Sequence, residues 1–133
     1  MFGKSLHVDI YGVSPSDCDN MEMCYRFLEA LVEYIEMTPT APPFVIHGPR
    51  KGGIELYPDK EGLTAFIPLI ESGITFHSVK NGFIALDIFT CGKLEEEKVV
   101  EFIREWYRPT KCASMVLERG LTYNKSWLNP PIE

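Results

Sequence analysis

Along residues 4–11 (KSLHVDIY) apolar side chains partly alternate with polar ones and β-branched and aromatic types are frequent, which predicts a strand ending at Gly12. The period then changes. Ser14-Pro15-Ser16-Asp17 offers capping side chains, and Leu28, Leu31, Val32 and Ile35 recur at helical spacing, with Met21, Met23 and Tyr25 in the earlier turns, until Thr38-Pro39 stops the pattern. The stretch TPTAPP is too proline-rich for a helix and leads through a short apolar run, Phe44 to Ile46, into GPRKGG. Strands are predicted at 53–57, 63–70, 74–79 and 82–90, divided by Pro58-Asp59, Glu71-Ser72-Gly73 and the hairpin signal Asn81-Gly82. Val99, Val100, Ile103 and Trp106 mark one face of a helix over 94–107, with Glu95, Glu96 and Glu97 in its first turn, where the helix dipole favours acids. Pro109 ends it, 112–117 reads as a last strand, and Gly120 opens a polar tail. The order β-α-β-β-β-β-α-β predicts an α+β two-layer sandwich, an antiparallel-dominated sheet with two helices on one face. Residues 1–120 form the expected single domain and 121–133 a C-terminal tail.

Composition narrows the function classes. A chain of 133 residues, 45% hydrophobic and 24% charged, has the makeup of one soluble globular domain. Its net charge of −6 argues against general affinity for nucleic acid or anionic membranes. Cys18, Cys24, Cys91 and Cys112 form no C-x-x-C pair, so neither a zinc site nor a disulfide framework is expected, and no other metal site is. GPRKGG lacks the spacing of a phosphate-binding loop and reads as a solvated turn. No signal-peptide pattern or apolar span of about 20 residues occurs, so the expected location is the cytoplasm.

One corner carries distinct chemistry. In ESGITFH (71–77) a serine sits between an acid and a glycine, and DIFTCG (87–92) places a cysteine at the end of the next strand. If Ser72 Oγ attacks the Glu71 carbonyl, the amide becomes an ester, and β-elimination then leaves a dehydroalanine that hydrolyses to a pyruvoyl group. Such a group forms a Schiff base with an amine and accepts electrons from a departing carboxylate. His77 is a candidate base for processing and Cys91 a candidate proton donor. Five residues of strand put Ser72 and His77 on opposite faces, so a bulge at Gly73 is expected to bring them together. Taken alone, Glu-Ser-Gly is more often an ordinary turn, a lone strand histidine an isolated one, and a strand-end cysteine a small buried hydrophobe.

The block LTAFIPLIESGITFH followed by ALDIFTCG resembles the centre of the short, prokaryotic-type, pyruvoyl-dependent S-adenosylmethionine decarboxylases, and GKSLHVDIYG and the closing ERG resemble their first and last strands. The resemblance spans residues 3 to 120. It implies cleavage between Glu71 and Ser72, a covalent pyruvoyl cofactor made from Ser72, His77 assisting processing, Thr64 in the place of a processing serine, and Cys91 as catalytic acid. It also implies a homodimer. Gly73 stands where the family carries His, and Ser78-Val79-Lys80-Asn81 replaces a Thr-Trp-Pro-Glu segment that contacts substrate ribose, which leaves Asn81 as a hydroxyl-binding candidate. An adenine-stacking aromatic falls near Tyr57. The implied reaction is decarboxylation of S-adenosylmethionine to the aminopropyl donor for spermidine. Pyruvoyl-dependent decarboxylation of arginine or ornithine is the nearest alternative, and a non-processing homologue acting as a binding or regulatory subunit is the alternative of another class. His7 and His47 receive no role.

Overall fold

The computed structural model describes residues 2–48 and 61–123. In chain order these form β1 (Gly3–Tyr11), α1 (Pro15–Cys18), α2 (Met21–Tyr34), β2 (Phe44–His47), β3 (Leu63–Leu69), β4 (Ser72–Val79), β5 (Phe83–Thr90), α3 (Glu96–Tyr107) and β6 (Lys111–Arg119). The six strands pair antiparallel throughout in the order β2-β3-β4-β5-β1-β6, which agrees with the expected α+β class. Two local expectations change. The first helix is split: Pro15 starts only the short α1, and Asn20, not the Ser14–Asp17 group, caps α2 by accepting from the Met23 N–H at 3.0 Å. The run at Phe44 becomes an edge strand because its backbone pairs with Phe66 to Leu63. The strand expected at 53–57 lies outside the described residues.

Alternation sorts the sheet into two faces. Leu6, Val8 and Ile10 of β1, Ile74 and Phe76 of β4 and Ile84, Leu86 and Ile88 of β5 are all buried on one of them. Helices α2 and α3 cover that face with Phe27, Leu28, Leu31, Val99 and Ile103. Phe27 is the centre of this layer, its ring 5.0 Å from Tyr107, 5.8 Å from Trp106, 5.9 Å from Phe102 and 6.0 Å from Phe76. Truncating it removes apolar burial and leaves a cavity lined by rings that cannot collapse fully. Phe27→Ala is therefore expected to lower stability by about 3–5 kcal/mol, read from the urea midpoint at unchanged slope.

Among the described residues no helix lies over the opposite face. Phe44 (63% exposed), Phe66 (44%) and Met115 (59%) stand there in the open. Phe44 and Phe66 pair across the β2–β3 edge, whereas Met115 is on β6, the opposite edge strand. The β4–β5 hairpin turns through residues 80–82, with Gly82 at φ 109, a conformation glycine adopts without a Cβ penalty.

Candidate active site

The Glu71–Ser72 peptide bond lies where β3 turns into β4. Leu69 pairs with Ser72, so Ile70 and Glu71 form a two-residue turn. The positive φ that closes it falls on Glu71 (φ 56), while Gly73 stays in the regular ladder opposite Pro68 and Phe89. The bulge expected at Gly73 is thus absent, and the departure from ordinary backbone sits one residue before Ser72, on the residue whose carbonyl would be attacked. A non-glycine residue held there stores about 1–2 kcal/mol.

Strand β5 grips this bond with two consecutive residues. Ser72 Oγ donates to Thr90 Oγ1 at 2.8 Å, and the Cys91 backbone N–H donates to the Glu71 carbonyl at 3.3 Å. The first contact holds the hydroxyl, and the second points an N–H at the oxygen that gains charge when that hydroxyl adds, the arrangement that stabilises oxyanions in acyl transfer. Both follow from one register, Ser72 opposite Thr90. Thr90 is 1% exposed and also accepts from the Gly92 N–H at 2.9 Å. The sequence pattern pointed to Cys91 and passed over Thr90, which is distinguished only by its cross-strand position.

Burial pushes the Cys91 thiol above its ordinary range, and the Glu71 carboxylate adds to this. The side chain is therefore a protonated thiol at neutral pH, the state a proton donor needs. The end of β5 is fixed from the other side by Gly3, where a Cβ would come within 2.5 Å of the Thr90 carbonyl and 3.2 Å of the Cys91 Cα. Gly3→Ala must displace this segment. Cleavage of such a variant, followed by denaturing electrophoresis, is expected to slow by roughly tenfold or more, since small misplacements of reacting groups are costly.

Ser72, Glu71 and Thr90 border a cleft of about 510 Å³ on the helix side of the sheet, between the end of α2 (Tyr34 to Thr38) and the start of α3 (Leu94, Glu95, Lys98). Its size suits a small molecule. Glu95, at the N-cap position of α3 but making no side-chain cap bond, lines this cleft and is held by Lys98 at 2.8 Å and Lys93 at 3.1 Å.

Within one chain, the other expected site residues are elsewhere. Thr64 and His77 face each other across β3 and β4, Thr64 Oγ1 3.0 Å from His77 Nδ1, but on the open face. Ser72 points to the helix-covered face with Ile74 and Phe76, and His77 is five residues up the strand, about 17 Å of rise. His77 and Thr64 therefore do not reach their own Ser72, because without a bulge the strand keeps its strict parity. Asn81 lies exposed in the turn at the far end of β4, so it does not meet Ser72 either. Its neighbour Lys80 is engaged by Asp19 at 3.9 Å and Glu61 at 3.8 Å. Tyr57 lies outside the described residues. Of the two histidines given no role, His7 Nδ1 is 2.8 Å from Asp87 Oδ1 on the open face, and His47 contacts Asp19. No group of three or more metal-ligating side chains occurs among the described residues.

A profile for the family described as S-adenosylmethionine decarboxylase matches residues 4–120. The chain belongs to this family. It is 30% identical over 121 residues to the S-adenosylmethionine decarboxylase proenzyme of Sulfurihydrogenibium sp. (strain YO3AOP1), covering 90% of this chain and 83% of that protein. It is 26% identical over 126 residues to the proenzyme of Aquifex aeolicus (strain VF5), covering 93% and 85%. The crystal structure of adenosylmethionine decarboxylase from Aquifex aeolicus VF5 superposes with a TM-score of 0.74 at 22% identity, over 94% of this chain and 96% of that one, and so shares the fold.

Proposed function

We propose that the chain is a proenzyme that cleaves itself between Glu71 and Ser72 and then decarboxylates S-adenosylmethionine, giving the aminopropyl donor used in spermidine synthesis. The observation that carries this reading is the double grip on the 71–72 bond: a nucleophile held by Thr90, an electrophilic carbonyl held by the Cys91 N–H, and a left-handed Glu71 between them. Family membership over residues 4–120 supports the substrate, and the word proenzyme in the relatives' names supports the cleavage.

A pyruvoyl group at position 72 suits its surroundings: Ser72 borders a cleft of about 510 Å³ and the position beside it is uncrowded, a Cβ on Gly73 meeting nothing closer than 3.7 Å. When formed, that group supplies an electrophilic carbonyl that draws electrons from the scissile carboxylate. The protein's own residues do the rest. Cys91, protonated at neutral pH, delivers a proton to the carbon that loses carbon dioxide; its backbone N–H is tied to the Glu71 carbonyl at 3.3 Å, one residue from position 72.

His77 and Thr64 keep a processing role in this reading only through a second copy. A homodimer joined through the open faces would bury Phe44 and Phe66 and set each Thr64–His77 pair against the open side of the other copy's Glu71–Ser72 backbone, since the Ser72 hydroxyl itself points to the helix-covered face. Co-expression tests this directly. His77→Ala alone is expected to remain uncut; paired with a Ser72→Ala chain, which retains His77, the His77→Ala chain is expected to be cut. Cutting of His77→Ala by itself removes His77 from processing. The reading places the enzyme in the cytoplasm, and no helix among the described residues is long and apolar enough to cross a membrane.

The whole reading is tested by intact mass under denaturing conditions together with carbon dioxide release from carboxyl-labelled S-adenosylmethionine. Two fragments, the larger-numbered one blocked at its start and trapped by phenylhydrazine, are expected. A single 15.2 kDa species from folded protein contradicts it.

A further inference from the structure

We infer that Thr90 is a positioning residue for self-cleavage: its hydroxyl oxygen takes the Ser72 O–H and so turns the nucleophile's lone pairs toward the Glu71 carbonyl. This rests on the self-cleaving reading above and deepens it. A hydroxyl oxygen offers two acceptor sites. On Thr90 Oγ1 one is occupied by the Gly92 N–H at 2.9 Å and the other by Ser72 Oγ at 2.8 Å. Ser72 donates and Thr90 accepts, which leaves both lone pairs of Ser72 Oγ free. The reverse polarity would tie up a lone pair of the nucleophile and slow its addition.

The site is built for this. Thr90 is 1% exposed, so water does not compete for the same oxygen, and its strand position opposite Ser72 is set by a continuous ladder from Val79–Phe83 to Ser72–Thr90. The next residue aims its N–H at the carbonyl to be attacked. Nucleophile and electrophile are therefore aligned by one rigid dipeptide.

The step balances within the chain. The bond from Ser72 Oγ to the Glu71 carbonyl carbon forms, the amide C–N bond breaks, and the serine proton ends on the freed Ser72 nitrogen. Thr90 accepts the Ser72 O–H until that proton leaves for the nitrogen, and gains no net proton.

A cross-strand hydroxyl pair can also serve only to stabilise a sheet. Thr90→Val keeps shape and removes the acceptor, Thr90→Ser keeps the acceptor, and Thr90→Cys keeps a small buried side chain with a weak one. Purified precursors are followed by intact mass with and without hydroxylamine, which cuts the ester but not the amide, and each variant's Tm is measured. The expected result is cleavage on the order of 100-fold slower in Thr90→Val and Thr90→Cys, restored to within tenfold by Thr90→Ser, with hydroxylamine releasing no fragment from the stalled chains. Wild-type rates in Thr90→Val or Thr90→Cys overturn the inference, as does accumulation of hydroxylamine-sensitive ester, which would put Thr90 after the attack, or slow cleavage in Thr90→Ser. Should Thr90→Val fail to fold, Thr90→Cys carries the same test. A wild-type chain that never cleaves defeats the self-processing reading itself, and this inference with it; wild-type cleavage matched by the variants defeats this inference alone.

Discussion

Ser72→Ala protein is expected to stay a single 15.2 kDa chain, while the wild type separates into residues 1–71 and 72–133. The substitution removes one oxygen and leaves the fold almost untouched, because Ser72 is only partly buried and its hydroxyl bonds one side chain, Thr90. Loss of that bond costs about 1 kcal/mol, well inside the stability of an ordinary domain. The effect on cleavage is total, since no other hydroxyl among the described residues is attached next to the Glu71 carbonyl. Decarboxylation is expected to disappear with it, because the proposed electrophile is made from that same serine. Circular dichroism and Tm close to wild type, together with an intact mass, is the expected pair of measurements; two fragments from Ser72→Ala would place the cut elsewhere.

Cys91→Ala is expected to divide the two activities. The contact that assists cleavage at residue 91 is made by the backbone N–H to the Glu71 carbonyl, and alanine retains it. Processing should therefore proceed at a rate near wild type. In the proposed reaction the thiol acts later, as proton donor, and its removal should lower kcat for decarboxylation by roughly 10²–10⁴-fold, the usual contribution of a placed acid. The pH profile gives a second reading. A donor works only while protonated, so activity is full below the thiol's pKa and falls as pH rises through it. Burial and the Glu71 carboxylate hold that pKa above the ordinary thiol range, which moves the alkaline fall to higher pH than a free cysteine would give. In Cys91→Ala the residual activity should lose this limb. A variant that neither cleaves nor decarboxylates would show that the side chain is needed for processing as well.

The strands expected at 63–70 and 82–90 and the helix expected at 94–107, found at Leu63–Leu69, Phe83–Thr90 and Glu96–Tyr107, were legible from apolar period, because each element buries one face and leaves the other open. The capping of α2 by Asn20 and the pairing of Phe44 with Phe66 were not, since a cap depends on one local bond and a short edge strand on a partner 22 positions away along the chain. At the active site, Glu71 and Ser72 stood out by their order in the chain and Cys91 by its motif. Thr90 did not, because a threonine at the end of a strand has no pattern of its own.

The sequence by itself determined which residues could react: a serine bonded directly to the residue it must attack, and a cysteine at the end of the next strand. Adjacency is covalent, so no fold is needed to establish it. Only the tertiary structure decided how they are brought to reaction. The β4–β5 register sets Thr90 and Cys91 against a bond 18 to 20 positions upstream, and unbroken strand parity turns His77 to the other side of the sheet. Register arises from the packing of whole faces, and a single step of slip would exchange every inward side chain for its outward neighbour.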